Sequence, residues 1–254
     1  MMKKILLVAV LVMLAFSLIA CSNAAEDEDA VTLVMATNAE FPPFEMIDDN
    51  GEPTGFDVDL FYAICDQLGC QGRVEDMLFD AVIIAVQEGK ADMGLAGLSI
   101  EPDRLKEVNF SDKYYIAGQA IIVMKDSAIA GAADLDGKTV GVQLGTTSDT
   151  AATSGEYGNL NVEQYNKNAD ALQDLINGRL DAVIMDNQTA KAFVAGNDNV
   201  QMLDELLTEE SYAIAIAKEN EDLLQKVNDA LAVLQENGTI DQLMEKYELA
   251  AEAE

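Results

Sequence analysis

The chain has 254 residues, half of them apolar, with 15 basic against 46 acidic side chains and neither His nor Trp. That length suits one large domain or two modest ones, each with a core of its own. The lack of His removes imidazole acid–base chemistry, a Ser-His-Asp triad and His metal ligands. The acidic excess leaves no basic surface for phosphates, so no nucleic acid, metal or cofactor is expected.

The N-terminus reads as a targeting segment to be set aside from the fold. Lys3 and Lys4 open it, and Ile5 to Phe16 is an unbroken apolar run, shorter than the ~20 residues of a spanning helix. The run leads to Leu18-Ile19-Ala20-Cys21, which resembles the bacterial lipobox. That resemblance implies that residues 1–20 are removed as a signal peptide and that the Cys21 thiol carries a diacylglyceryl group. The protein is then expected outside the cytoplasm, held to the membrane by lipid. An ordinary signal peptide with a chance Cys is the alternative. Residues 21–30 become the lipidated Cys and an acidic tether, since SNAAEDEDA is too hydrophilic to fold alone.

Two cysteines remain, Cys65 and Cys70. Cys65 falls in the last turn of an expected helix capped by Gly69. A disulfide across that turn is expected in an exported chain, with two free thiols as the alternative. A metal pair lacks further ligands.

From Val31 short apolar strands alternate with amphipathic helices. Thr32 to Thr37 is a strand, followed by the turn-prone Phe41-Pro42-Pro43-Phe44. Phe56 to Leu60 opens a helix with Asp57 as its N-cap and apolar residues at 58, 61, 64, 65 and 68. A second helix covers about Phe79 to Gln87, and Ala91 to Leu98 reads as a buried strand. This βαβ grammar predicts an α/β fold with largely parallel strands.

The grammar occurs twice. Residues 86–97 read VQEGKADMGLAG and residues 175–186 read LINGRLDAVIMD. Each is a helix end, then Gly-basic-x-Asp, then an apolar strand. The openings TLVMATN and KTVGVQLGTTS match as well. Two α/β lobes of similar build follow, with ligand expected beyond the carboxyl ends of the strands in a shared cleft. Near the C-terminus, Leu223, Leu224, Val227, Leu231 and Leu234 form one apolar stripe ended by Asn237-Gly238. Thr239 and Gln242 suggest a capping box for a last helix.

These stretches resemble the polar amino-acid-binding family of bacterial solute-binding proteins, family 3, over about Val31 to Glu248. The resemblance rests on ATNAEFPPFE at 36–45, GFDVDL at 55–60, GLSIEPDR at 97–104, VNFSDKYY at 108–115, LDGKTVGVQLGTTS at 135–148 and DAVIMDN at 181–187. It implies the two-lobed periplasmic-binding-protein-like fold, with the α/β lobes joined by two crossovers. Lobe 1 is expected at 31–116 plus 217–250 and lobe 2 at 120–212, with hinges near 117–119 and 212–214.

The resemblance also implies a ligand site. Arg104 would clamp a ligand α-carboxylate, since a planar guanidinium makes two parallel bonds to it. Thr146 and Thr147, in the turn after Gly145, would offer further donors to the same group. Asp186 would pair with the α-ammonium, assisted by the Gly97 carbonyl and the Ser99 hydroxyl. Phe41 and Phe79 would wall the ligand side chain, and Asn38 and Gln143 would touch its far end. Many relatives carry an acid where this chain has Asn38, which favours an uncharged polar side chain such as that of glutamine; Glu40 nearby leaves a cationic one open. The implied function is capture of a free polar L-amino acid and delivery to an ABC permease, with no catalysis. A cyclohexadienyl-dehydratase-like enzyme and a ligand-presenting sensor module are the alternatives on this fold.

Overall fold

The computed structural model describes residues 31–249. The expected signal peptide, the lipidated Cys21 and its tether lie outside the described residues.

The chain begins with β1 (Thr32–Thr37), β2 (Glu40–Phe41), β3 (Glu45–Ile47), β4 (Pro53–Thr54) and α1 (Phe56–Leu68). It continues through β5 (Gln71–Asp76), α2 (Phe79–Gln87), β6 (Met93–Gly94), α3 (Arg104–Glu107) and β7 (Val108–Phe110). Then come β8 (Tyr115–Ala117), β9 (Gln119–Met124), β10 (Thr139–Gln143), α4 (Thr147–Ser154) and β11 (Asn161–Tyr165). The remainder is α5 (Asn168–Ile176), β12 (Ala182–Asp186), α6 (Asn187–Ala195), β13 (Val200–Leu206) and β14 (Glu210–Tyr212). Last are β15 (Ala215–Ala217), α7 (Glu221–Glu236) and α8 (Thr239–Lys246).

Two five-stranded sheets carry the fold, ordered β5-β1-β6-β15-β7 and β11-β10-β12-β9-β13. The orders match position for position. In each, the opening strand pairs in parallel with its two successors. In each, the fourth strand runs antiparallel and is the one that enters from the other half of the molecule. The links β8 and β14 pair antiparallel, Tyr212 opposite Tyr115, as a two-stranded ribbon between the sheets.

The repeated Gly-basic-x-Asp has a physical cause. Gly89 and Gly178 take the left-handed conformation just past their helices, φ +67° and +72°. Three residues later, Asp92 accepts the Val34 amide at 2.7 Å and Asp181 accepts the Thr139 amide at 2.8 Å. Each Asp thus ties the start of the third strand to the start of the first and sets the register of the sheet.

Side chains alternate across both sheets. Met35 faces α1 and α7 with Phe61, Ile64, Val227 and Leu231, whereas Ala36 faces α2 with Val82 and Val86. In the second sheet Ile184 packs with Ala151 and Ala152 of α4, and Val183 with Leu172 and Leu175 of α5. Covering both faces explains why the central strands are apolar almost throughout.

Several local expectations are corrected. Asp57 does not cap α1: the N-cap is Gly55 at φ +131°, where a Cβ would stand 2.2 Å from the Phe44 carbonyl oxygen. The Asp57 carboxylate is instead buried, accepting the Gly97 amide and the Tyr114 hydroxyl, both at 2.9 Å. Only Met93–Gly94 of the 91–98 stretch joins the sheet ladder. Thr239 makes no capping box; its amide and hydroxyl both donate to Asn237 Oδ1. Asn220, unnoticed in the sequence, caps α7 by accepting the Leu223 amide.

The expected Cys65–Cys70 disulfide is not formed, and both thiols are free. The left-handed turn at Gly69 sends the Cys70 amide and thiol to the Cys65 carbonyl, at 3.0 and 3.5 Å. Cys65 points into the core of the first lobe, where burial, and after it Cys70, pushes its thiol up to about 12. Such a thiol is inert as a nucleophile.

Candidate functional site

The carboxyl ends of β1, β6, β10 and β12 carry the loops that meet between the sheets. Nine of the ten residues singled out in the sequence line one cavity of about 10 Å³ there, room for about one water molecule. They are Phe41, Phe79, Gly97, Ser99 and Arg104 from the first lobe and Gln143, Thr146, Thr147 and Asp186 from the second. Asn38, the tenth, stands just behind: its Oδ1 accepts from Gln143 Nε2 at 2.9 Å and its Nδ2 donates to the Met77 carbonyl at 2.8 Å.

Arg104 opens α3 and is 8% exposed. Its Nη1 donates to the Ser99 carbonyl at 3.0 Å and its Nη2 crosses to the Gly145 carbonyl at 3.1 Å. Its Nε faces Glu101 at 3.1 Å, and the guanidinium lies 5.5 Å from the Phe79 ring centre. Burial pulls the guanidinium below its ordinary pKa, while Glu101, Glu210 and Asp186 favour its charge.

Asp186 ends β12 at the N-cap position of α6, yet its side chain caps nothing. It accepts from Gln119 Nε2 at 2.6 Å and from the Tyr212 hydroxyl. Burial, then the nearby Glu210, raises its carboxyl to about 7; Tyr212, Gln119 and Arg104 act against them. Among the described residues no ion pair joins Asp186 to Arg104.

The turn before α4 is built by Gly145 at φ +78° and by Thr146, whose Oγ1 accepts the Asp149 amide at 3.2 Å. The Thr146 hydroxyl donates back to the Gln143 carbonyl at 2.7 Å. The Thr147 hydroxyl donates to Glu210 at 2.9 Å and accepts from Gln119 at 3.0 Å. Ser99 also donates its hydroxyl to Glu210. Gly97, at φ +55°, lets Phe41 approach; a Cβ there would meet the ring at 2.9 Å. Gln143 accepts from Asn168 Nδ2 at 2.9 Å, so the wall near Asn38 is made of amides. At the edge of that wall Lys167 of the second lobe pairs with Glu40 of the first.

Sequence reasoning placed Gln119 and Tyr212 only at the expected hinges and did not single out Glu210, so none of the three was expected at the site. Gln119 had one available signal, a polar residue opening the apolar run AIIVM that is wholly buried in β9. Glu210 and Tyr212 offered none, because a three-residue strand between lobes has no pattern of its own.

A sequence profile of the bacterial extracellular solute-binding proteins, family 3, matches residues 33–250. The chain belongs to this family. It is 37% identical over 253 residues to the arginine-binding extracellular protein ArtP of Bacillus subtilis (strain 168), covering 97% of this chain and 98% of that one. An ancestral arginine-binding protein, solved with arginine, is 42% identical with a TM-score of 0.81, over 85% of this chain and 97% of that one. The same ancestral type, solved with glutamine, superposes with a TM-score of 0.80 at the same identity and coverage. AncCDT-1, an ancestral amino-acid-binding protein and a precursor of cyclohexadienyl dehydratase, is 38% identical with a TM-score of 0.79, over 85% and 95%. These relatives share the two-lobed fold and are substrate-binding proteins.

The raised Asp186 carboxyl gives a pH prediction that does not depend on ligand. Between the ordinary carboxylate range, ~4, and about 7 the fold holds a proton that the unfolded chain has released. Its penalty therefore grows as pH rises through that window and is complete above it. Asp186→Asn removes the penalty. The variant is expected to melt higher than the parent at pH 8.5, by at least about 2 °C, with the gain shrinking towards pH 4.5. A gain unchanged across this range would contradict the assignment.

Proposed function

We propose that this protein captures a free polar L-amino acid between its lobes and delivers it to an ABC permease, held to the membrane by lipid on Cys21. The observation that carries this reading is the pair Arg104 and Asp186. One buried cation and one buried anion reach a single cavity from different lobes, and among the described residues no ion pair joins them. A free amino acid carries both complementary charges. Its α-carboxylate can replace the Ser99 and Gly145 carbonyls on the Arg104 fork. The same group can take amides at the N-terminus of α4, where the helix dipole favours an anion. Its α-ammonium can complete Asp186.

For the side chain, the relatives weigh towards arginine. An amide wall of Asn38, Gln143 and Asn168 offers oxygen acceptors that suit a guanidinium, and Glu40 at its edge supplies charge. The same amides suit glutamine, which is the second reading: Asn38 stands where an acid would fix a cation, and the ancestral relative has been solved with either ligand. Phe41 and Phe79 would enclose the aliphatic stem in both cases. Ligand closes the lobes only as far as it binds the closed arrangement better than the open one.

Calorimetry on ligand-stripped protein with L-arginine and L-glutamine tests both levels. Arg104→Ala is expected to cost roughly 2–5 kcal/mol of binding, and Arg104→Lys much of it, because the bidentate fork is gone. Binding by Arg104→Ala equal to the parent's would remove the amino-acid reading. Glutamine winning by more than about tenfold, ~1.4 kcal/mol, would replace arginine with the amide ligand. For the anchor, mass spectrometry of the membrane fraction should find a diacylglyceryl mass on Cys21 as first residue; an unmodified mature N-terminus beyond it would exclude the lipid.

A further inference from the structure

Glu210 lies on β14, in the ribbon between the sheets, and three hydroxyls point their protons at it. Ser99 Oγ of the first lobe and Thr147 Oγ1 of the second both donate to its Oε2, and Thr208 Oγ1 donates to its Oε1 at 2.9 Å. A hydroxyl has one proton and two lone pairs. With their protons committed to Glu210, Ser99 and Thr147 have only lone pairs left.

The neighbouring groups obey the same polarity. Gln119 Oε1 accepts from Ser148 Oγ at 2.6 Å, which fixes the direction of its amide, and its Nε2 serves Thr147 and Asp186. The Ser99 and Thr147 hydroxyls thus give their protons to Glu210, and Tyr212 gives its own to Asp186, so none of these three protons is free for a ligand. The charged groups facing Glu210 are Asp186, Glu101 and Arg104. Two hydroxyls left with only lone pairs, beside the Asp186 carboxyl, suit an ammonium better than a carboxylate.

We infer that Glu210 is a positioning residue that sets this polarity, orienting Ser99 and Thr147 as acceptors so that the site demands an α-ammonium on its ligand. It rests on the amino-acid reading above and extends it. The ligand carboxylate is left to Arg104 and the backbone amides, without the Thr147 hydroxyl. Replacing the carboxylate of Glu210 by an amide lets its Nε2 donate to one hydroxyl, whose proton then turns into the cleft.

The test compares L-arginine with its des-amino analogue 5-guanidinopentanoate, and L-glutamine with glutaramate, on the parent, Glu210→Gln, Glu210→Ala and Arg104→Ala. A buried polar site rejects an analogue lacking its partner group strongly, so the parent should prefer the amino acid by at least about 100-fold. Glu210→Gln and Glu210→Ala should lower that preference at least tenfold, with the des-amino Kd moving less than about threefold. Equal weakening of both members of a pair, or an unchanged preference, would overturn the role of Glu210. Arg104→Ala keeps the two levels apart. If it loses binding while the Glu210 variants keep the preference, only this inference fails. If it binds like the parent, the amino-acid reading itself fails.

Discussion

Taking a charge out of water is costly unless polar groups replace its hydration, and the cleft of this protein does so for a cation and an anion that do not meet. Arg104 is held by two carbonyls and Glu101, and Asp186 by Tyr212 and Gln119. Burial still disfavours the charged form of each, lowering the guanidinium and raising the Asp186 carboxyl. The rest of the architecture follows from the need to bring these groups to one place. Two sheets of matching order point the carboxyl ends of their parallel strands at each other, and the loops beyond those ends supply the site.

The contacts that bridge the cleft are polar and replaceable. Arg104 to Gly145, Gln143 to Asn38, Lys167 to Glu40 and the Ser99-Glu210-Thr147 link each join one lobe to the other. None is a large apolar seam. On the proposed reading a ligand with the right charges would exchange these bonds for its own, and net affinity would depend on the difference between two satisfied states. On the same reading the charged pair would recognise the class, and the amide wall around Asn38 and Gln143 would select within it. Phe41 and Phe79 line the same cavity. Gly97 admits Phe41 against the loop that also holds the Asp57 carboxylate on its amide.

Much of this was legible in the sequence because it repeats or depends on local rules. Gly-basic-x-Asp appears twice, each Gly ending a helix and each Asp holding an amide of the first strand. The apolar stripe of α7 and the helix beginning at Phe79 follow from periodicity alone. The illegible parts are tertiary. Asp57 resembles an N-cap because it sits one residue into a helix, but its partners are 40 and 57 residues away. Cys65 and Cys70 have a spacing that permits a bridge, yet the turn at Gly69 gives the second thiol a carbonyl instead. Glu210 joins hydroxyls 111 and 63 residues distant, which no local pattern can announce.

The central claim is that one buried cation and one buried anion recognise both charges of a free amino acid. Blocking either charge of the ligand tests it most directly. On ligand-stripped protein, L-arginine, L-argininamide and Nα-acetyl-L-arginine would be titrated side by side, with L-glutamine and its equivalents in parallel. The account predicts that each blocked compound binds at least about 100-fold more weakly than its parent amino acid. A blocked compound binding within about threefold of its parent would show that the corresponding charge is not what the site reads.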